Sequence, residues 1–237
     1  HRETGNAKAG YVYLVMASFG TLALLLAFGL LAGPEGAYAF DAIRESHPTS
    51  GLAALVLVLV LIGTGSKAGL VPLHAWLPLA HPAAPSHISG LLSGVMTKVA
   101  VYAFVRIVFD LVGNPAWWWS MVVLALAGIT CVMGVLYALM QHDLKRLLAY
   151  HSIENIGIIV MGLGLALIGR SLGRTDWIIL GMCGCLLHVW NHALFKALLF
   201  LSAGSVIHAT HTREIDHLGG LARAMPQTAL CFLVGAV

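Results

Sequence analysis

The 237-residue chain is 59% hydrophobic and only 10% charged, with a mean hydropathy of +0.88, whereas a soluble domain carries about 25% charged residues. This is the composition of an all-α, polytopic transmembrane helical bundle lying in a lipid bilayer. The formal charge of +3 is small and scattered, and no basic run interleaved with aromatics occurs, which excludes nucleic acid as a partner.

Crossing the hydrocarbon layer takes about 20 apolar residues. Six stretches meet that length, at approximately 10–33, 50–80, 86–109, 117–140, 144–169 and 177–208, and a seventh opens near Pro226 and runs to 237. They are read as one transmembrane domain over 1–237. The chain starts at His1 and stops inside the apolar run PQTALCFLVGAV, which predicts a piece of a longer polypeptide. The second stretch is interrupted: Gly63, Gly65, Gly69 and Pro72 crowd around Lys67. Glycine and proline there free backbone groups that need protein or water beside them, so a broken helix is expected at Lys67.

The short polar connectors alternate in charge. One set carries Arg2, Lys8, Lys145, Arg146, Arg213 and Arg223, and the other Arg44, Arg170 and Arg174. By the positive-inside rule the first set is cytoplasmic. Trp117, Trp118 and Trp119, after Asn114-Pro115, suit the aromatic belt of the opposite interface. Cys131, Cys183, Cys185 and Cys231 all fall in apolar helices with no CxxC pair. They read as small buried residues rather than as a cluster or zinc site.

Three lysines stand deep in apolar stretches: Lys67, Lys98 and Lys196. A charge near mid-bilayer costs roughly 2.5 to 3.5 kcal/mol even on the lenient insertion scale, so such residues face a protein interior or a watery path. Neither Lys67 nor Lys98 has an acid within its own segment, so their partners are expected elsewhere.

His188, His192 and Lys196 are spaced four apart, which places them on one stripe of the sixth helix. Histidine changes charge near neutral pH, and a stripe of this kind can pass protons. The alternative is that the histidines bond neighbouring helices and Lys196 snorkels. A metal reading is weaker, since Val-Trp-Asn separates the two histidines and the glutamate of HExxH is missing.

Glu154 is the one mid-helix carboxylate, with His151 a turn before it, and its protonation can report a neighbouring charge. His74, His81 and His87 surround the connector PLHAWLPLAHPAAPSH. They are auxiliary candidates, read as connector hydrogen-bonding residues slightly before proton carriers. No flavin, nucleotide or iron–sulfur motif occurs, so no cofactor and no redox catalysis are expected in this chain.

GLVPLHAWLPLAHPAAPSHISGLLSGVMTKVAVY, DLKRLLAYHSIENIGI and HVWNHALFKALLFLSAGSVIHATHTREIDHLGGL resemble consecutive signatures of the antiporter-like subunits of respiratory complex I, multisubunit sodium/proton antiporters and membrane-bound hydrogenases. HPAAPSH and SIEN are most similar to the hydrogenase-4 and formate hydrogenlyase branch. In the quinone-reducing branch an aspartate is more usual where Leu79 stands.

The resemblance implies about fourteen helices in two inverted repeats, each with a helix broken at a charged residue. It also implies a multi-pass location in a bacterial or archaeal inner membrane. Lys67 then matches the broken-helix lysine, Lys98 the central lysine of the next helix, and His188, His192 and Lys196 the link to a second half-channel. The expected function is proton translocation within a redox-driven complex, by a relay of Lys67, Lys98, Glu154, His188, His192 and Lys196. Expected partners are protons, other membrane subunits and a peripheral arm holding iron–sulfur clusters with a nickel–iron site or flavin. A sodium/proton antiporter subunit and a structural anchor for a hydrogenase arm are the rival readings.

Overall fold

A computed structural model describes residues 4–46 and 48–237; Arg2 lies outside them. Helix α1 (Thr4–Ala32) leads through the short α2 (Phe40–Glu45) to α3 (Ser50–Ala68). After an irregular stretch, α4 (Leu77–Ala83) precedes α5 (Ser86–Leu111), and then come α6 (Trp117–Leu139), α7 (Leu144–Ser171) and α8 (Thr175–Thr210). A 3₁₀ turn (Ile215–His217), α9 (Leu221–Ala224) and α10 (Pro226–Ala236) follow. Among the described residues six helices are long and apolar enough to cross a membrane, and the only extended pairing is an isolated bridge between Asp143 and Glu214. The fold is an all-helical, multi-pass bundle, because in hydrocarbon each backbone N–H and C=O must be satisfied within its own segment.

Helix α3 starts where the Thr49 hydroxyl accepts from the Leu52 amide and ends one residue after Lys67. Gly69 terminates it in the left-handed region at φ 90°, a conformation that costs a residue without Cβ little. Chain direction changes there, and residues 70–76 run irregularly into α4. The indole of Trp76 donates to the Ser66 carbonyl at 2.7 Å, satisfying part of the backbone exposed by the break.

Helix α5 is not uniform: Leu92–Met96 and Arg106–Leu111 are π-turns, a feature common at functional sites. Lys98 follows the first of them by two residues.

The core is built on α7. At Gly157 an added Cβ would stand 2.6 Å from the Cys131 amide nitrogen, and at Gly134 2.5 Å from that of Glu154. The backbones of α6 and α7 therefore touch, which is how helices associate where lipid removes the hydrophobic driving force. Leu57, Val60, Val108, Val123, Ile156, Ile159 and Leu163 fill the space around this seam.

The cysteine expectation is corrected in part. Cys185 is buried and Cys131 half-buried, but Cys183 and Cys231 are exposed, because they lie on helix faces that no other described element covers. Lys145 also differs from its reading as a solvated connector charge. It is buried and its ammonium donates to the Ala84 carbonyl at 2.8 Å.

Candidate functional site

Lys98 is the centre of the site. It is 9% exposed, and its ammonium reaches three acceptors: the Ser93 carbonyl, the Thr97 hydroxyl at 3.4 Å, and Nδ1 of His192 on α8. An ammonium has three donors, so Lys98 is fully hydrogen-bonded without any carboxylate. Donation to Nδ1 requires that nitrogen to carry a lone pair, which puts the proton of neutral His192 on Nε2. That Nε2 is buried and has no partner among the described residues.

Lys196, one turn along α8, is 1% exposed and donates to the Leu148 carbonyl at 3.2 Å. It faces a cavity of about 290 Å³ lined also by Leu148, His151, Glu154, Asn155 and Phe232. Glu154 and Lys196 thus share a chamber without an ion pair. Glu154 Oε2 is held instead by Nδ1 of His151 at 2.6 Å. Gly134 lets the α6 backbone approach α7 at Glu154 itself.

His188 completes the stripe. Its ring is stacked 6.2 Å from that of His192, and its Nε2 lies 2.8 Å from Oδ1 of Asn155 on α7. The structure therefore joins Lys98, His192 and His188 directly, and brings Lys196, Glu154 and His151 to one cavity.

Lys67 is not joined to them by any hydrogen bond among the described residues. Its ammonium is half-buried and 3.5 Å from the Ala17 carbonyl, in a separate cavity of about 330 Å³ with Tyr13, Ser66, Trp76, Met96 and Val99. No carboxylate among the described residues pairs with any of the three lysines.

The connector histidines separate. His87 is exposed, and His74 is half-buried with an unpartnered Nδ1. His81 does not hydrogen-bond through its ring: it is fully buried, both nitrogens lack partners, and it stacks on Phe200 at 4.8 Å. An imidazolium there would be an unpaired buried charge.

Two features of the site were missed in the sequence. Ser93 and Ser152 form a hydroxyl pair at 2.8 Å, and Ser152 donates to the same Leu148 carbonyl that Lys196 uses. A second polar thread between α5 and α8 thus runs through α7; serines inside apolar spans were the available signal. Asn155, adjacent to Glu154, was the other omission.

At the opposite end of the bundle, Arg44 holds Asp110 through two bonds of 2.8 and 2.9 Å, and Arg106 pairs with the same carboxylate at 3.0 Å. The hydrogen bond from Asp110 raises the Arg44 guanidinium further above its usual value.

Known proteins share this arrangement. The chain is 43% identical over 239 residues to hydrogenase-4 component B of Escherichia coli (strain K12), covering 100% of this chain and 35% of that protein. It is 40% identical over 232 residues to formate hydrogenlyase subunit 3 of the same organism, covering 98% and 38%. It therefore spans little more than a third of the length of these relatives. In structure it matches a chain of the Mrp complex from Dietzia sp. DQ12-45-1b with a TM-score of 0.86 and 26% identity, over 98% of this chain and 41% of that one. The profile described as "NADH:quinone oxidoreductase/Mrp antiporter, TM" extends over residues 1–237. Buried lysines bonded through histidine across a broken-helix bundle, together with a match over every residue, establish that the chain belongs to this family of antiporter-like membrane subunits.

Proposed function

We propose that this chain forms the middle of a proton path in a subunit of a redox-driven membrane complex, of the hydrogenase-4 and formate hydrogenlyase type. Iron–sulfur clusters with a nickel–iron site or flavin belong, on this reading, to partner subunits in a peripheral arm, and the complex sits in a bacterial or archaeal inner membrane. The similarity to E. coli hydrogenase-4 component B supports the branch. The observation that carries the reading is the contact between the Lys98 ammonium and Nδ1 of buried His192, with Lys196 one turn beyond.

A proton passing from Lys98 to His192 Nδ1 makes an imidazolium, whose Nε2–H is the hydrogen free to leave. The ring returns to neutrality with one proton moved and Lys98 discharged. Lys196 and Glu154 then receive or report that charge at the cavity they share. Moving one charge against 100 mV takes about 2.3 kcal/mol, which the redox partners must supply.

Lys98→Ala in the full-length subunit, within its complex, is expected to abolish proton uptake by vesicles while assembly survives. Undiminished uptake would leave the subunit as an anchor. The structural likeness to the Mrp complex supports a second reading, sodium/proton exchange. A proton flux that scales with sodium in otherwise identical vesicles would select it.

A further inference from the structure

The stripe that ends at His188 meets a residue which cannot carry a proton. We propose that Asn155 is a proton stop. It fixes the tautomer of His188 and closes the direct way from that ring into the Lys196 cavity, so that protons reach the cavity by His192 and Lys196. This rests on the relay reading above.

The orientation of the Asn155 amide follows from its two contacts. One end lies 2.6 Å from the His151 carbonyl and the other 2.8 Å from His188 Nε2. A backbone carbonyl only accepts, so the end beside it must be the NH₂ group, and the end facing His188 must be the carbonyl oxygen. His188 therefore donates Nε2–H to Asn155, and its one basic nitrogen is Nδ1.

A proton arriving from His192 can bind Nδ1. To continue, the imidazolium would have to hand its Nε2 hydrogen to an amide oxygen, which accepts a hydrogen bond but is too weak a base to hold a proton. The ring can only return the proton the way it came.

The stop separates two compartments. Asn155 lines the Lys196 cavity with His151 and Glu154, and is itself only 9% exposed. On its other side stands His188, with His192 stacked on it and Phe195 at its edge, 6.4 Å between ring centroids. The ionisable groups around His188 are Glu154 and His151 on α7, Lys98 on α5, and His192 and Lys196 on α8. Of the contacts His188 makes with α7, the one at Nε2 goes to the amide rather than to either titratable neighbour.

Two measurements on the full-length subunit in its complex test this. Selective ¹⁵N labelling of histidine, with His188 assigned by difference against His188→Asn, should show Nε2 protonated and Nδ1 bare. The reverse would overturn the assignment, and this reading needs no variant of Asn155 to fold.

In proteoliposomes under an imposed pH gradient without redox turnover, Asn155→Asp places a group that takes up and releases protons at the stop. It should raise passive proton leak about tenfold or more, the low side of what a positioned acid contributes to proton transfer. Asn155→Leu should stay tight. A tight Asn155→Asp, or equal leak from both variants, would overturn the stop. Normal pumping by Lys98→Ala would remove the relay reading while leaving the nitrogen assignment untouched, so the two failures are told apart.

Discussion

At the scale of single residues, the question is how three ammonium groups persist in an apolar bundle with no carboxylate pairing any of them among the described residues. Lys98 answers it most fully, because the Ser93 carbonyl, Thr97 hydroxyl and His192 imidazole take all three of its hydrogens. Such neutral acceptors solvate a charge without trapping it, whereas a tight carboxylate pair would deepen the well from which a proton must escape. His192 is the acceptor that can itself become charged. His192→Gln keeps donor and acceptor capacity but cannot take a proton near neutral pH. It should preserve assembly and cut proton flux, while His192→Lys should retain part of the flux with a displaced pH dependence. Gln-variant pumping that matches wild type from about pH 6 to 8, the range around the unperturbed imidazole value, would demote the stripe to packing. The stripe itself was legible in the spacing of His188, His192 and Lys196, since four residues on a helix always return to one face. That His192 binds Lys98 was not, because the pairing depends on how two helices dock.

At the scale of elements, the glycines of the α6–α7 seam set the position of Glu154. Gly157 meets backbone rather than a flexible side chain, with the Cys131 nitrogen 2.6 Å from where a Cβ would stand. Gly157→Ala must push the helices apart, and overpacking of this kind costs typically about 1 to 3 kcal/mol. The thermal midpoint of the assembled subunit should fall. Flux per assembled complex should also drop, because Glu154 moves with the helix. An unchanged midpoint would show that the seam is loose. The broken helix was legible as a cluster of glycines and a proline around Lys67, since those residues weaken a helix wherever they fall. The π-turn at Leu92–Met96 was not. LSGVM contains nothing that distinguishes a five-residue turn from a four-residue one, and the choice belongs to the contacts α5 makes with α7 and α8, such as the Ser93–Ser152 pair and the approach of Gly94 to the Ala193 carbonyl.

At the scale of the whole molecule, the two sets of connectors lie at opposite ends. At one end Asp143 pairs with Arg213 at 3.4 Å, His142 with Asp216 at 2.7 Å, and Arg213 donates to the Pro82 carbonyl. At the other end Asp110 gathers Arg44 and Arg106, drawing α2 onto α5, and the neighbouring Arg170 of α7 donates to the Phe109 carbonyl. Asp110→Asn leaves those arginines without their shared carboxylate. It should lower the thermal midpoint while proton flux per assembled complex stays at the wild-type level, since the cluster stands apart from the lysine relay; a selective loss of flux would tie that end to the path. By itself the sequence determined that the chain is helical, crosses the membrane repeatedly and carries charge where lipid penalises it, because hydropathy and period are local properties of a segment. Tertiary structure alone decided which of those charges meet. Lys98 joins His192, Lys196 shares a cavity with Glu154, Lys67 stands in a chamber of its own, and His81 and Lys145 are buried. Helix register and crossing set those distances, and side-chain contacts distant in the chain set the register, so no window of sequence contains them.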